Sequence, residues 1–191
     1  AQYNAQFSVS VLGSSSGKTA LTVDGGNVRN SLEGGTAQNF SQEVVEEFQI
    51  SSANFDLSTG IAASGAINIV SRSGGNAFHG GAYFFFRDNN LSAYPDLRRI
   101  AFAPDPFFAR RQGGVLFSGP IKKDKLFFLF NLENNNQDSV VTVQPDSPYF
   151  ASLAQNYSNP YDGKQISVKF DYRFNTQHNL FARYSHDGNN G

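Results

Sequence analysis

The segment "KQISVKFDYRF", residues 164–174, alternates without a break. Ile166, Val168, Phe170, Tyr172 and Phe174 fall on one side, and Gln165, Ser167, Lys169, Asp171 and Arg173 on the other. A period of two sends these sets to opposite faces of a strand. The fold must therefore give this segment one apolar and one polar surrounding. A sheet lying over a soluble core does so, and so does the wall of a membrane barrel, whose apolar face meets lipid and whose polar face meets the lumen. Four more segments read as strands: "GGAYFFFRD", "RQGGVLFSG", "KLFFLFNLEN" and "NLFARYSH". Each has about the ~9–11 residues that cross a bilayer at a tilt.

The connections discriminate between the two surroundings. Strands one and two are joined by a long segment, Asn89 to about Arg110, and strands two and three by the tight "PIKKDK". A long link, Asn134 to Gly163, follows, and then the short "NTQH". Long outer loops alternating with short periplasmic turns are the pattern of an outer-membrane barrel, whereas a soluble sandwich has no reason to alternate so regularly. On this reading the chain enters the wall from the periplasmic side.

Composition agrees. Phe (19 residues) and Gly (18) are abundant in 191 residues, yet the mean hydropathy is −0.38, because lipid-facing and lumen-facing residues average out. There is no Cys, Met or Trp, which excludes a disulfide scaffold and a thiolate metal site. A net charge of −1 and a pI near 6.3 argue against a nucleic-acid binder. No apolar run approaches the ~18–20 residues of a membrane helix. No signal-peptide pattern opens the sequence, as expected of a mature or excised stretch.

Residues 1–75 read differently, as a small α+β unit. "VLGSSSGKTALTVDGG" suggests a phosphate-binding loop, but three residues separate Gly13 from Gly17 where that loop needs four. The alternating "TALTVDGG" that follows reads as a strand ending in a turn, so a polar hairpin is the better reading. "SQEVVEEF" carries a helix signal, with Ser41 as N-cap and Gln42 and Glu43 in the first turn. "EFQIS" and "AINIVS" read as strands. Glu43, Glu46 and Glu47 read as a solvated helix face rather than an acid/base or metal cluster.

Three stretches carry a resemblance: "ALTVDGGNVRN", "SQEVVEEFQISSANFDLSTGIAASGAINIVSRSGGNAFHGGAYFFFRDNNLSA" and "RRQGGVLFSGPIKKDKLFFLFNLE". In order and in motif they resemble TonB-dependent outer-membrane receptors, in particular the Oar-like branch. The resemblance implies the later part of a plug domain over residues 1–75 and the first strands of a receptor barrel over 76–191. The expected fold class is mainly β, a small α+β plug segment followed by about five antiparallel strands of an incomplete transmembrane β-barrel, where the whole family barrel has ~22 strands.

The implied function is that of an outer-membrane transporter that binds a scarce solute at the cell surface and admits it to the periplasm. Its implied partners are the TonB-ExbB-ExbD energising complex, engaged through a region outside this sequence, outer-membrane lipid, and an extracellular siderophore, cobalamin, oligosaccharide or peptide. A β-rich surface binding or adhesion module without transport is the alternative.

No nucleophile constellation suggests an enzyme, no cofactor is implied, and His79, His178 and His186 lack metal-ligand spacing. Arg98-Arg99 and Arg110-Arg111 read as solvated loop charges. For the substrate, the resemblance points to plug loops facing the outer vestibule, and so to Asn27, Arg29, Asn30, Asn54, Phe55 and Asp56, whose amides, charges and one ring suit a polar ligand.

Overall fold

A computed structural model describes residues 19–30, 36–52, 65–93, 106–143 and 148–190. Its described residues form two sheets. The smaller contains β1 (Thr19–Val23), β2 (Gly26–Asn27), β3 (Val45–Ser52) and β4 (Gly65–Ser71), in the order β2-β1-β4-β3. β1 runs parallel to β4, and the other pairings are antiparallel. Asp24 and Gly25 both have positive φ, 47° and 80°, the two-residue hairpin geometry that Asp-Gly favours. Leu21, Val23, Ile67 and Ile69 form the core of this sheet, with Val28, Phe40 and Val45 packed against it.

The helix expected over residues 41–48 is corrected. Ser41 does cap, its Oγ accepting from the Glu43 N–H at 3.3 Å, but only the 3-10 turn Gln42–Val44 follows. From Val45 the chain is extended and pairs with β4. Adjacent β-branched valines disfavour helix, and the ladder to β4 satisfies the backbone instead. The glycines flanking Ser14–Ser16 lie outside the described residues, but Thr19–Val23, where a phosphate loop would place a helix, is a strand.

The larger sheet is an antiparallel run of β5 (His79–Asp88), β6 (Phe108–Lys122), β7 (Leu126–Val143), β9 (Tyr161–Arg173) and β10 (Asn179–Asn190), each beside the next, with β8 (Gln155–Ser158) pairing only the far end of β7. These five main strands are those expected from the alternation. They are longer than the minimum crossing length: β7 has 18 residues and β6 has 15. Their outer ends continue past the apolar band, and β7 with β8 forms a projecting hairpin, Val140–Val143 against Gln155–Ser158. Arg110 and Arg111 accordingly sit in β6 rather than in a loop. Arg98 and Arg99 lie outside the described residues.

The register identifies two opposite faces, since directly opposed residues share one. One face carries the row Tyr83, Gly114, Glu133, Gln165 and Asp187, and the row His79, Ser118, Leu129, Lys169 and Arg183. The other carries the row Gly80, Phe117, Phe130, Val168 and Tyr184. Burial is inverted relative to a soluble sheet: Asn131, Glu133, Ser167 and Lys169 are buried, while Phe84, Phe117, Phe170 and Tyr184 are exposed. The polar face is covered by the small sheet.

The two sheets are joined by Arg72–Phe78. A Cβ on Gly74 would lie 2.5 Å from the Phe128 carbonyl oxygen and 2.9 Å from that of Gly119. Both are backbone atoms that cannot give way, so this close approach requires glycine. Gly75 faces open space. In the full-length receptor gene, Gly74→Val should sharply reduce the heat-modifiable, folded form recovered from outer membranes, while Gly75→Ala should leave it within about twofold of wild type. Equal recovery of the two variants would contradict this packing.

Candidate functional site

The site lies where the small sheet meets the polar face of the wall. Its deepest part is built on the Asp24-Gly25 turn. Lys169 of β9 and Arg183 of β10 are directly opposed on one face, an arrangement that like charges make unfavourable. Asp24 resolves it. Its Oδ2 accepts from Arg183 Nη1 at 2.8 Å, and its Oδ1 lies 3.9 Å from Lys169 Nζ. Ser71 at the end of β4 donates to the same carboxylate, N–H at 2.8 Å and Oγ at 2.6 Å. Lys169 Nζ in turn donates to Ser71 Oγ and to the Ser71 carbonyl, and Arg183 Nη2 donates to the Val23 carbonyl at 3.2 Å. The Asp24 and Lys169 side chains are only 7% and 8% exposed. Burying such charges costs several kcal/mol per ion unless the partners are complete, and here they are.

A second junction lies further along the wall. The Glu133 carboxylate accepts from Ser41 Oγ at 2.9 Å, from the Tyr83 hydroxyl and from Gln112 Nε2 at 2.8 Å. Gln112 Oε1 accepts from Arg110 Nη2, and Arg110 Nε donates to Asn135. Gly114 lies between Tyr83 and Glu133 in the register, and a Cβ there would collide with the Tyr83 ring. Its absence lets the phenol lie across β6 to reach the carboxylate. Asn39 makes a third junction, its N–H and Nδ2 both donating to Asp187 Oδ2.

Beside this second junction is a cavity of about 450 Å³ between Asn39, Phe40 and Gln42 of the small-sheet segment and Arg110, Gln112, Asn135, Gln137, Tyr161 and Gln165 of the wall. The lining is mostly amide. Its two charges are committed, Arg110 to Gln112 and Asn135, and Glu133 to its three donors. The cavity therefore offers balanced donors and acceptors with little net charge, alongside two aromatic rings.

The residues expected to hold substrate are only partly brought together. Asn27 is exposed on β2 and accepts from the Arg29 N–H through its own Oδ1 at 2.9 Å. It borders a smaller cavity with Gln38, Ser185, His186 and Asp187. Arg29 bridges to Thr36, and Asn30 follows it. Asn54, Phe55 and Asp56 lie outside the described residues. The amide-lined cavity was not anticipated from sequence, since its members are dispersed from Asn39 to Gln165 and converge only through register. The one signal for them was the polar half of each alternating strand. Among the described residues no group of His, Asp or Glu could hold a metal ion.

The chain matches the family described as outer membrane beta barrel domain over residues 70–151. It is 30% identical over 129 residues to the TonB-dependent transporter Oar of Myxococcus xanthus, covering 65% of this chain and 12% of that protein. Its fold matches the crystal structure of the siderophore receptor PirA from Acinetobacter baumannii with a TM-score of 0.56 at 21% identity, covering 92% of this chain and 24% of that one.

Together these matches support a TonB-dependent receptor fragment of the outer membrane.

The chain spans about an eighth of the length of the transporter it matches. The inverted burial of the wall has its explanation in the outer-membrane barrel match: the exposed aromatic face is turned to lipid, and the buried polar face to the lumen.

The buried ion network generates a prediction for the full-length receptor. Arg183→Met leaves Asp24 and Lys169 with an incomplete partner set and should lower unfolding stability in detergent by about 3–5 kcal/mol. In an Asp24→Asn background the same change should cost much less, because the charge it serves is gone. Additive losses in this double-mutant cycle would show that the groups are not coupled.

Proposed function

We propose that residues 1–75 are the later part of a plug and residues 76–191 the first staves of the barrel it fills, and that the whole receptor binds a polar solute from outside and passes it to the periplasm when the plug is remodelled. The observation that carries this reading is the wall's buried polar face, met by the small sheet at Asp24, Asn39 and Ser41 through hydrogen bonds and ion pairs rather than through an apolar core. Polar contacts of this kind exchange for water when the two parts separate, whereas an apolar core would resist wetting. A TonB-linked energising complex acting on the plug would supply the work, as the likeness to a TonB-dependent transporter suggests.

Asn27, Arg29 and Asn30, together with Asn54, Phe55 and Asp56, are proposed as plug contacts for the solute, and the amide-lined cavity as polar surface on its way. Two experiments test the reading. In intact cells, cysteine at Tyr149, which is 91% exposed between β7 and β8, should react with an impermeant maleimide. Cysteine at Lys123 should react only after the outer membrane is opened, and the reverse pattern would invert the topology. Accumulation of labelled oligosaccharide, peptide, ferric chelate and cobalamin should then be compared with and without receptor and TonB. Uptake of one class that depends on both is expected. Surface binding without any TonB-dependent uptake would favour the adhesion module.

A further inference from the structure

We propose that the turn between β6 and β7 binds the phosphate of an anionic phospholipid of the inner leaflet. Lys122, Lys123 and Lys125 surround a single carboxylate, Asp124. That carboxylate is already occupied: Asp124 Oδ1 accepts from Asn76 Nδ2 at 2.6 Å, and the Asp124 N–H donates to Asn76 Oδ1 at 2.8 Å. Asp124 adopts φ 63° to do so, and both of its groups are thereby committed to the Arg72–Phe78 linker. Among the described residues none of these lysines forms an ion pair.

The turn is continuous with the lipid-facing surface. Lys122, Leu126 and Tyr172 form one row on the outward face. Directly along that face lies an aromatic group, Phe78 stacked on Phe117 at 5.8 Å and Phe117 against Phe128 at 5.4 Å, with Tyr172 edge-on to Phe174 at 4.5 Å. Phe78 is 63% exposed and Ile121 56%. Rings at this level mark the boundary between hydrocarbon and headgroups, so the ammonium groups just beyond them meet phosphates while their alkyl stems stay against the rings. The opposite end of the outward face is mixed in sign: Arg111 and Lys164 lie near Asp162, which Asn136 also engages. The larger excess of positive charge, three lysines to one carboxylate against two cations to one at the opposite end, lies at this turn, and this favours a phospholipid headgroup there over the lipid A of the outer leaflet.

The proposal rests on the periplasmic placement of this turn, which the cysteine labelling above tests separately. Full-length receptor in non-ionic detergent would be titrated with phosphatidylglycerol, phosphatidylethanolamine, lipid A or inorganic phosphate, and bound lipid counted by native mass spectrometry. The K122Q/K123Q/K125Q variant should bind phosphatidylglycerol about tenfold or more weakly, as expected from three lysines near an anionic surface, with phosphatidylethanolamine unchanged. Lys164→Gln should bind like wild type. Should the triple variant assemble poorly, Lys122→Gln alone should show a loss of about twofold to threefold. Undiminished phosphatidylglycerol binding in the variants would overturn the proposal. So would loss of lipid A binding instead, or displacement of phosphatidylglycerol by inorganic phosphate at equal concentration. A turn labelled from outside would overturn the topology as well, whereas a periplasmic turn with undiminished binding would overturn the lipid site alone.

Discussion

Two cations opposed on the inner face of a wall need an anion between them. Lys169 and Arg183 could each be solvated in an open channel, but they are covered, and Asp24 is the group that makes covering them tolerable. The Asp-Gly turn delivers its carboxylate at that point because β1 ends there and β4, running parallel to it, brings Ser71 alongside. The hairpin, the parallel pairing and the placement of the small sheet against the wall thus meet in one ion network. Its energy is conditional. Complete, it costs little net; with one member missing, a buried charge is stranded. A junction with that property holds the two sheets in one arrangement and yields readily once water reaches it, as the proposed plug movement would require.

The remaining contacts divide by chemistry. Toward the lipid the wall is aromatic and aliphatic and asks nothing of its neighbours beyond an apolar medium. Toward the lumen Glu133 is met by two hydroxyls and an amide and Asp187 Oδ2 by both donors of Asn39, while Asn131 Oδ1, Gln165 Oε1, Asp171 Oδ2 and Asp187 Oδ1 find no donor among the described residues. At the linker the chemistry changes again. Gly74 allows backbone-to-backbone contact, and Asn76 locks onto Asp124 with reciprocal hydrogen bonds. These contacts tie the end of the small-sheet segment to the wall independently of the ion network, so loosening the network need not detach the segment.

Much of the wall could be read directly. The alternation of Ile166 to Phe174 against Gln165 to Arg173 assigns each side chain to a face, and the faces observed are those assigned. The helix at Ser41 could not be read correctly. Its capping signal is real, but a helix through Phe48 would forfeit the pairing of Val45, Glu47 and Phe48 with β4, and local preference is weaker than that ladder. Arg110 was misplaced for a related reason. Strand ends beyond the apolar band carry loop-like composition, and only pairing with Arg87 and Gln137 marks Arg110 as part of the wall.

By itself the sequence determined that strands would alternate in polarity, that their connections would alternate in length, and hence that the medium on one side would be lipid. These properties lie in consecutive stretches of the chain, in alternation from one residue to the next and in the lengths between strands. Tertiary structure alone decided which polar side chains meet. Asp24 and Arg183 stand 159 positions apart, Ser71 and Lys169 stand 98 apart, and no periodicity links them. Their meeting depends on the register of five strands and the seating of a second sheet. A shift of one residue in the register of β9 would turn Lys169 to the lipid and Phe170 to the small sheet.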